Sequence, residues 1–175
     1  SGSTGKPKGV MIEEKSLLNY LLFSLDHYAI ENRSFSFPLF TSLSFDLTQT
    51  AIFLTLLSGG QLTIENETEV AGVLARIVAN PEINAIKLTP SHCSILPQLE
   101  EHTTIATAIV GGEQLEKHHL SHLIKLNPSI RIFNEYGPTE ATIGCVVSEI
   151  KNIDDPILIG RPIANTQIYI VDEND

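Results

Sequence analysis

Residues 130 to 140 decide the fold, and they read Ile130-Arg131-Ile132-Phe133-Asn134-Glu135-Tyr136-Gly137-Pro138-Thr139-Glu140. The first four residues of this stretch form a short apolar run that predicts a buried strand. The other seven bring an amide, an aromatic ring, a Gly-Pro turn, a hydroxyl and two carboxylates. Such a group is poor material for a core and is typical of a loop that holds a ligand. We therefore expect a binding site directly after this strand.

Apolar runs and segments with helical spacing alternate along the rest of the chain. Alternation with short connections predicts an α/β fold, with a parallel sheet, right-handed crossovers and helices on both faces. The expected strands are 35–40, 61–64, 85–88, 106–110 and 130–133. The expected helices are 16–30 with Ser16 as its N-cap, 46–57, 70–79, 91–99 and 115–126.

The last part of the chain has a different character. Residues 142–150 and 167–171 are β-rich and are separated by a loop that contains Gly160-Arg161-Pro162. We expect residues 1–150 to form one α/β subdomain and residues 151–175 to begin a smaller, truncated β-rich subdomain. The start at Ser1 without an initiator methionine and the abrupt end at Asp175 indicate a piece excised from a longer protein.

Composition excludes several classes of partner. The chain has 175 residues, with 21 acidic against 11 basic side chains and a formal net charge of −10. Nucleic acid and anionic membranes would be repelled overall, since no basic run interrupts this charge. Cys93 and Cys145 stand singly in apolar segments, which favours reduced, buried thiols. With no signal peptide and no spanning apolar run, we expect a cytoplasmic protein.

Polar residues follow several of the predicted strands. They are Asp46, Lys87, Gly111-Gly112-Glu113 and the stretch 134–140. In a parallel sheet the carboxyl ends of the strands meet at one edge, where ligands bind. Lys87 is the most informative, because a lysine in a central strand is costly to bury without a partner. Glu135 is the expected partner.

The opening loop, Ser1 to Gly9, is rich in glycine, serine and threonine. Its backbone amides and hydroxyls could wrap phosphate oxygens, with Lys6 and Lys8 supplying positive charge. It is not a Walker A loop, because Pro7 follows Lys6 where serine or threonine is needed. On this motif alone, a flexible polar loop is an equal alternative.

Three motifs resemble those of the acyl-adenylate-forming enzymes, in the same order. Ser1 to Gly9 resembles their phosphate loop, residues 134–140 resemble their adenine and magnesium motif, and Gly160-Arg161-Pro162-Ile163 is similar to a further core motif. Ser44-Phe45-Asp46-Leu47-Thr48 resembles the segment of nonribosomal peptide synthetase adenylation domains whose aspartate binds the α-amino group of an amino acid. The resemblance covers essentially the whole chain. It implies a flavodoxin-like subdomain that uses ATP and Mg²⁺.

By this resemblance, Asn134 would read the adenine edge and Tyr136 would stack on the ring. Thr139 would contact the α-phosphate and Glu140 would ligate Mg²⁺, so these two would serve catalysis. Without the motif, Tyr136 would be better interpreted as a core aromatic and Glu140 as a charge at a helix N-terminus. The residues implied to contact the nucleotide are Ser3, Thr4, Gly5, Lys6, Gly112, Glu113, Asn134, Tyr136, Gly137 and Thr139.

The resemblance also implies an amino-acid pocket. A similar residue set is associated with asparagine, whose carboxamide could accept a hydrogen bond from Lys87 and donate one to Glu135. Two alternatives stay open: Asp46 as an N-cap, and Lys87 with Glu135 as a structural ion pair. The implied pocket residues are Asp46, Leu47, Thr50, Lys87, Ile109, Gly111, Glu135, Ile143 and Gly144.

The function implied is that of a fragment of an amino-acid adenylation domain. It would form an aminoacyl-AMP and load a carrier-protein thiol in nonribosomal peptide synthesis. The family's ribose-binding aspartate and C-terminal lysine would lie in the missing remainder of the domain, so we expect the isolated piece to be inactive. One alternative is an acyl- or aryl-acid-CoA ligase fragment, in which Asp46 would face no amine. Another is a non-catalytic flavodoxin-like scaffold or exchange subdomain.

His118, His119 and His122 form a cluster that needs a separate interpretation. His118 and His122 have the i, i+4 spacing of helical metal ligands, but no HExxH pattern accompanies them. Leu120 and Leu123 mark a different face of that helix as buried. The sequence therefore predicts a solvated histidine face.

Overall fold

The computed structural model describes residues 9–30, 33–66, 69–96 and 103–172. In those ranges helices and strands alternate as expected, and the predicted bounds of two elements, α3 and β3, agree with the structure. The elements are α1 (Glu14–His27), β1 (Phe37–Leu39), α2 (Leu47–Ser58), β2 (Leu62–Ile64), α3 (Val70–Ala79), β3 (Ala85–Leu88), α4 (Pro90–Cys93), β4 (Thr107–Gly111), α5 (Lys117–Leu126), β5 (Arg131–Tyr136), a 3₁₀ turn (Thr139–Ala141), β6 (Val146–Ile150) and β7 (Arg161–Pro162).

The parallel strands lie in two adjoining sheets. β1 and β2 form a parallel pair, while β3, β4 and β5 run parallel inside a five-stranded sheet of order β3-β4-β5-β6-β7. The carbonyl of Ser36 accepts hydrogen bonds from the amides of Asn84 at 3.1 Å and Ala85 at 3.2 Å, so β1 begins beside β3. The predicted α/β class with a parallel sheet is confirmed.

The C-terminal strands do not form a separate sheet. β6 pairs antiparallel with β5, and β7 pairs antiparallel with β6. The connection from 137 to 145 is too short for the crossover that a parallel neighbour requires, so the chain turns back on itself. The strand expected at 167–171 is not formed. The division into subdomains at residue 150 stays a prediction.

Hydrophobic side chains fill both faces of the five-stranded sheet. Successive residues of a strand point to opposite faces, so each strand contributes to two layers. On one face, α1 and α2 bury Tyr20, Tyr28, Leu54, Ala85, Ile109 and Phe133. On the other, α3, α4 and α5 bury Leu74, Ile77, Cys93, Leu120, Ile86, Val110 and Ile132. Helices therefore cover both faces, as the alternation predicts.

The helix ends correct two predictions. Ser16 lies inside α1, and Glu13 takes the N-cap position without a side-chain capping bond. His119 is buried rather than solvated. Its side chain turns back to cap α5, where Nδ1 accepts a hydrogen bond from the Glu116 amide at 3.1 Å. His118 is exposed, with 55% of its side chain accessible. Within the ranges described, no helix is long and apolar enough to cross a membrane.

Candidate functional site

A buried ion pair lies at the carboxyl end of the parallel strands. The ammonium of Lys87 on β3 contacts the Glu135 carboxylate on β5, and the two residues are only 5% and 4% exposed. They are separated by β4, where the residue beside Glu135 is Gly111. Because Gly111 carries no side chain, the β4 position directly beside Glu135 leaves room for the Lys87 side chain to reach it. The partnership expected between Lys87 and Glu135 is present.

Two tyrosines from the α1 region complete the environment of Glu135. The Tyr20 hydroxyl donates to Glu135 Oε1 at 2.9 Å, and the Tyr28 hydroxyl donates to the same oxygen at 3.0 Å. Burial, reinforced by the negative charge of Glu135, raises the pKa of each phenol well above its usual range. Both therefore act as neutral hydrogen-bond donors.

Thr50 supports this arrangement from α2. Its hydroxyl lies 2.7 Å from the Tyr20 hydroxyl, and both residues are fully buried. A carboxylate only accepts, so the single Tyr20 proton is directed at Glu135 and Thr50 donates to Tyr20. The order Thr50, Tyr20, Glu135 is thus a directed chain of hydrogen bonds.

The sequence interpretation did not include Tyr20 or Tyr28. Both lie among apolar side chains, where a phenylalanine would fill the same space. The signal available was a hydroxyl placed in an otherwise apolar layer, since a buried phenol requires a partner.

A cavity of about 520 Å³ opens beside the ion pair. Its volume lies within the range of small-molecule sites, about 300–1,000 Å³. Phe40, Phe45, Val70 and Val73 give it apolar walls. The predicted residues that line it are Asp46, Leu47, Lys87, Gly111, Gly112, Glu113, Glu135, Gly137 and Ile143.

Three residues of the implied pocket do not line this cavity. Thr50 is bonded to Tyr20, and Ile109 is fully buried in the layer under α1 and α2. Gly144 packs directly against the Glu135 side chain: a Cβ built there would lie 2.5 Å from Cγ and 2.8 Å from Oε1 of Glu135. Thr50 supports Glu135 through Tyr20, and Gly144 contacts Glu135 directly, so both act on a residue that lines the cavity.

Asp46 lines the cavity, and one of its carboxylate oxygens is unsatisfied. It occupies the N-cap position of α2, but its side chain makes no capping hydrogen bond. Its Oδ2 is buried and has no hydrogen-bond partner among the described residues. The capping interpretation of Asp46 is therefore wrong. A buried acceptor without a partner is costly, so a donor from outside the described residues would stabilise it.

The loop that closes the cavity has a strained backbone. Thr142 and Ile143 have φ values of 68° and 66°, in the left-handed region that β-branched residues avoid. Such residues cost about 1–3 kcal/mol each and cluster at functional sites. The strained segment presents Ile143 to the cavity and Gly144 to Glu135.

A second hollow of about 490 Å³ adjoins the first, and the two share Gly112, Glu113, Glu135 and Gly137. Asn134 lines it and donates from Nδ2 to the Leu158 carbonyl at 2.9 Å. Tyr136 lines it with 51% exposure, so this residue is not a core aromatic. The hollow thus brings together five of the ten predicted nucleotide contacts: Gly112, Glu113, Asn134, Tyr136 and Gly137.

Glu113 borders both hollows and is held by Ser91. The Ser91 hydroxyl donates to Glu113 Oε2 at 2.5 Å and the Ser91 amide donates to the same oxygen at 3.1 Å. The hydroxyl bond is the main reason that the pKa of Glu113 lies below its usual range. The carboxylate is thereby fixed in its charged form at the boundary.

The residues expected to serve catalysis lie apart from this pair of hollows. Thr139 and Glu140 are exposed on the 3₁₀ turn, and Glu140 borders a third hollow that includes Lys15 and Thr142. Ser3, Thr4, Gly5 and Lys6 lie outside the described residues. No group of three or more His, Cys, Asp or Glu side chains suited to a metal occurs in the part of the chain that the structure describes. A single exposed carboxylate still fits Mg²⁺, which takes few protein ligands when phosphates supply the rest.

Comparison with known protein families shows the family to which this chain belongs. The family described as AMP-binding enzyme matches residues 1–175. The chain belongs to the AMP-binding enzyme family. This AMP-binding chain is 37% identical over 181 residues to bacitracin synthase 3 of Bacillus licheniformis, covering 99% of the chain and 3% of that protein. It is also 36% identical over 177 residues to tyrocidine synthase 3 of Brevibacillus parabrevis, covering 98% of the chain and 3% of that protein.

Solved structures give the same fold. The AMP-binding chain matches holo-AB3403, a four-domain nonribosomal peptide synthetase bound to AMP and glycine, with a TM-score of 0.81 and 28% identity. That match covers 97% of the chain and 13% of holo-AB3403. The AMPPNP-bound form of the nonribosomal peptide synthetase FmoA3 matches with a TM-score of 0.85 at 21% identity, over 95% of the chain and 19% of FmoA3, and supports the fold. The chain thus spans a small part of each relative and has the fold of their adenylation domains.

Proposed function

We propose that this chain is the part of an amino-acid adenylation domain that holds ATP and an α-amino acid. In the reaction, the amino-acid carboxylate attacks the α-phosphorus of ATP, a new P–O bond forms, and pyrophosphate leaves. The product is an aminoacyl-AMP, whose acyl group then passes to a carrier-protein thiol. The observation that carries this proposal is the unpartnered Oδ2 of Asp46, a residue that lines the same cavity as Lys87 and Glu135.

Asp46 would bind the α-ammonium group of the substrate. A buried carboxylate oxygen without a donor is costly, and an ammonium ion supplies both the donor and the opposite charge. A fatty-acyl or aryl-acid substrate has no ammonium group and would leave Asp46 unsatisfied. This favours an amino acid over the substrates of an acyl- or aryl-acid-CoA ligase.

Lys87 and Glu135 would bind the substrate side chain, which we propose to be the carboxamide of asparagine. The two charges already neutralise each other, so the site favours a ligand that is polar and uncharged. A carboxamide can accept from Lys87 and donate to Glu135, whereas an aspartate side chain would add a third charge to a buried site. Such mismatches discriminate strongly between similar ligands.

The nucleotide would occupy the second hollow. Tyr136 would stack on adenine, Asn134 would contact its edge, and Gly112 and Glu113 would flank it at the boundary with the amino acid. Thr139 would contact the α-phosphate, and the loop residues Ser3, Thr4, Gly5 and Lys6 would hold the departing pyrophosphate. Glu140 would hold Mg²⁺, which when bound neutralises phosphate charge. The role of the protein is then to position and neutralise the reacting groups.

Other parts of the proposal concern the larger enzyme. The peptidyl carrier protein and the remainder of the adenylation domain are proposed by analogy with the relatives, which are much longer than this chain. A cytoplasmic setting is a further part of the proposal. We expect the chain without the remainder of the domain to be inactive in turnover.

Binding of a stable product analogue tests the proposal. The enzyme that contains this chain is titrated by calorimetry with a non-hydrolysable asparaginyl-adenylate analogue. We expect the wild-type enzyme to bind and Asp46→Ala to lose binding without loss of folding stability, since Asp46 makes no capping bond. The matched control is Glu69→Ala, which removes a carboxylate that does cap a helix, α3, through the amides of Ala71 and Gly72. That change should cost about 1 kcal/mol of stability and leave binding intact.

Two outcomes would contradict the proposed function. If the wild-type enzyme does not bind the analogue, the non-catalytic scaffold becomes the better interpretation. Tighter binding of a fatty-acyl or aryl adenylate analogue, unaffected by Asp46→Ala, would instead favour an acyl- or aryl-acid ligase.

A further inference from the structure

The hydrogen bonds to Glu135 are divided unequally between its two oxygens. Oε1 accepts from the hydroxyls of Tyr20 at 2.9 Å and Tyr28 at 3.0 Å. Oε2 contacts the Lys87 ammonium, with the Tyr20 hydroxyl farther away at 3.4 Å. A carboxylate offers about four lone-pair sites over its two oxygens. Oε1 is therefore filled by the protein, whereas Oε2 keeps capacity for a ligand donor.

We propose that Tyr20 and Tyr28 are positioning residues that set the side-chain selectivity of the amino-acid pocket through Glu135. The two hydroxyls occupy the acceptor sites of Oε1 and hold the carboxylate in place. Oε2, which lies beside Lys87, is then the oxygen that accepts from the N–H group of the substrate side chain. The inference rests on the proposed function, because it concerns the side chain that the pocket accepts.

The rings of both tyrosines are fixed by packing, so their hydroxyls occupy defined positions. Tyr20 and Tyr28 are fully buried, and the Tyr28 ring packs edge-on against Phe133 with centroids 4.8 Å apart. Thr50 anchors the Tyr20 hydroxyl from α2. A site holds a functional carboxylate best when its supporting residues are themselves immobile. The hydroxyls can therefore orient Glu135 without moving with it.

The orientation of Glu135 matters because asparagine and aspartate differ in what their side chains can donate. The Glu135 carboxylate accepts from the N–H group of a carboxamide, whereas it repels a second carboxylate. Without the hydroxyls Glu135 would be less fixed, so an aspartate side chain would be rejected less strongly.

Conservative substitutions test this inference in the enzyme that contains the chain. Tyr20→Phe and Tyr28→Phe keep the rings and remove the hydroxyls, and amino-acid-dependent pyrophosphate exchange is measured with asparagine and with aspartate. Loss of one hydrogen bond to a charged group should lower kcat/KM for asparagine about tenfold to hundredfold, mainly through KM. The preference for asparagine over aspartate should fall, while KM for ATP stays unchanged. The control is Tyr169→Phe, an exposed tyrosine whose hydroxyl bonds to Gln167.

A double-mutant cycle shows whether the tyrosines act through Glu135. In a Glu135→Gln background, Tyr28→Phe should have little further effect on kcat/KM for asparagine. Full additivity would overturn the inference, as would single variants that retain the asparagine preference of the wild type. Equal reductions in kcat/KM for asparagine, aspartate and ATP would also overturn it, because they would indicate that the tyrosines have a general structural role. A wild-type enzyme with no amino-acid-dependent exchange would refute the proposed function itself, and that result appears before any variant is made.

Discussion

The Lys87 ammonium and the Glu135 carboxylate form an ion pair across an intervening strand, with 5% and 4% of the two residues exposed. Burying two charges costs more than their attraction returns unless further hydrogen bonds satisfy them. Tyr20 and Tyr28 provide those bonds to Glu135. A pair of apolar residues would stabilise this position at least as well, which supports the binding role that we propose for the ion pair.

The first prediction concerns the stability that depends on this pair. Lys87→Met should lower the free energy of unfolding by about 3–5 kcal/mol, because it leaves the Glu135 charge buried without its counter-ion. Lys87→Met combined with Glu135→Gln should recover much of that loss, since the remaining groups are neutral. Unfolding in urea measures both variants.

An exposed ion pair supplies the control for this prediction. Arg131 and Glu149 lie 2.9 Å apart with 41% and 29% of their side chains exposed, so Glu149→Gln should cost less than about 1 kcal/mol. If Lys87→Met and Glu149→Gln lower the free energy of unfolding equally, the burial of the Lys87–Glu135 pair does not increase its contribution to stability.

The second prediction concerns substrate choice. Glu135→His replaces the carboxylate that would repel aspartate with a group that can donate to it. The preference of the enzyme in amino-acid-dependent pyrophosphate exchange should move from asparagine toward aspartate. Unchanged selectivity would refute the assignment of Glu135 to the side-chain pocket.

Much of the fold could be predicted because it depends on local pattern. Val70–Ala79 and Ala85–Leu88 have the predicted bounds. Apolar patterning marks both elements, Pro81 follows the helix, and Thr89-Pro90 follows the strand. The antiparallel pairing of Val146–Ile150 with β5 was not predicted, because a β-rich segment does not reveal its partner. Pairing between strands depends on connection length and on the available sheet edge, which are properties of the assembled fold.

The third prediction concerns the close approach of Gly144 to Glu135. A Cβ at residue 144 would lie 2.5 Å from Glu135 Cγ, so Gly144→Ala must displace either the loop or the carboxylate. Overpacking of this kind costs about 1–3 kcal/mol of stability, and activation of asparagine should fall with it. Gly9→Ala is the control for unfolding, because a Cβ there meets nothing within 4 Å among the described residues. Similar stability for both variants would contradict the observed packing.

The fourth prediction concerns pH. Hydrogen bonds from Ser91 lower the pKa of Glu113 in the folded chain, so the unfolded chain binds the proton more readily. The resulting stability is present above the unfolded pKa and is lost as the pH falls through the folded pKa. Ser91→Ala should therefore weaken the loss of Tm on acidification. Ser121→Ala is the control, because its hydroxyl bonds to the Lys117 carbonyl and not to a carboxylate. Identical acid profiles for wild type and Ser91→Ala would contradict this account.

The binding site was partly predictable from residue chemistry. Lys87 was identified because a lysine in a central strand is costly to bury, and its partner Glu135 followed from the same argument. The unsatisfied oxygen of Asp46 could not be inferred, since a residue before a helix is usually an N-cap and only the backbone geometry excludes that role here. Tyr20 and Tyr28 were missed because their burial resembles that of phenylalanine, and their partner lies more than 100 residues away in sequence.

A crystal structure of the enzyme with a non-hydrolysable asparaginyl-adenylate analogue tests the central claim most directly. We predict that the α-ammonium group lies within hydrogen-bonding distance of Asp46 Oδ2 and that the carboxamide lies between Lys87 Nζ and Glu135 Oε2. Adenine should stack on Tyr136 in the adjoining hollow. An amino-acid group bound outside this cavity, with Asp46 still unpartnered, would contradict the account.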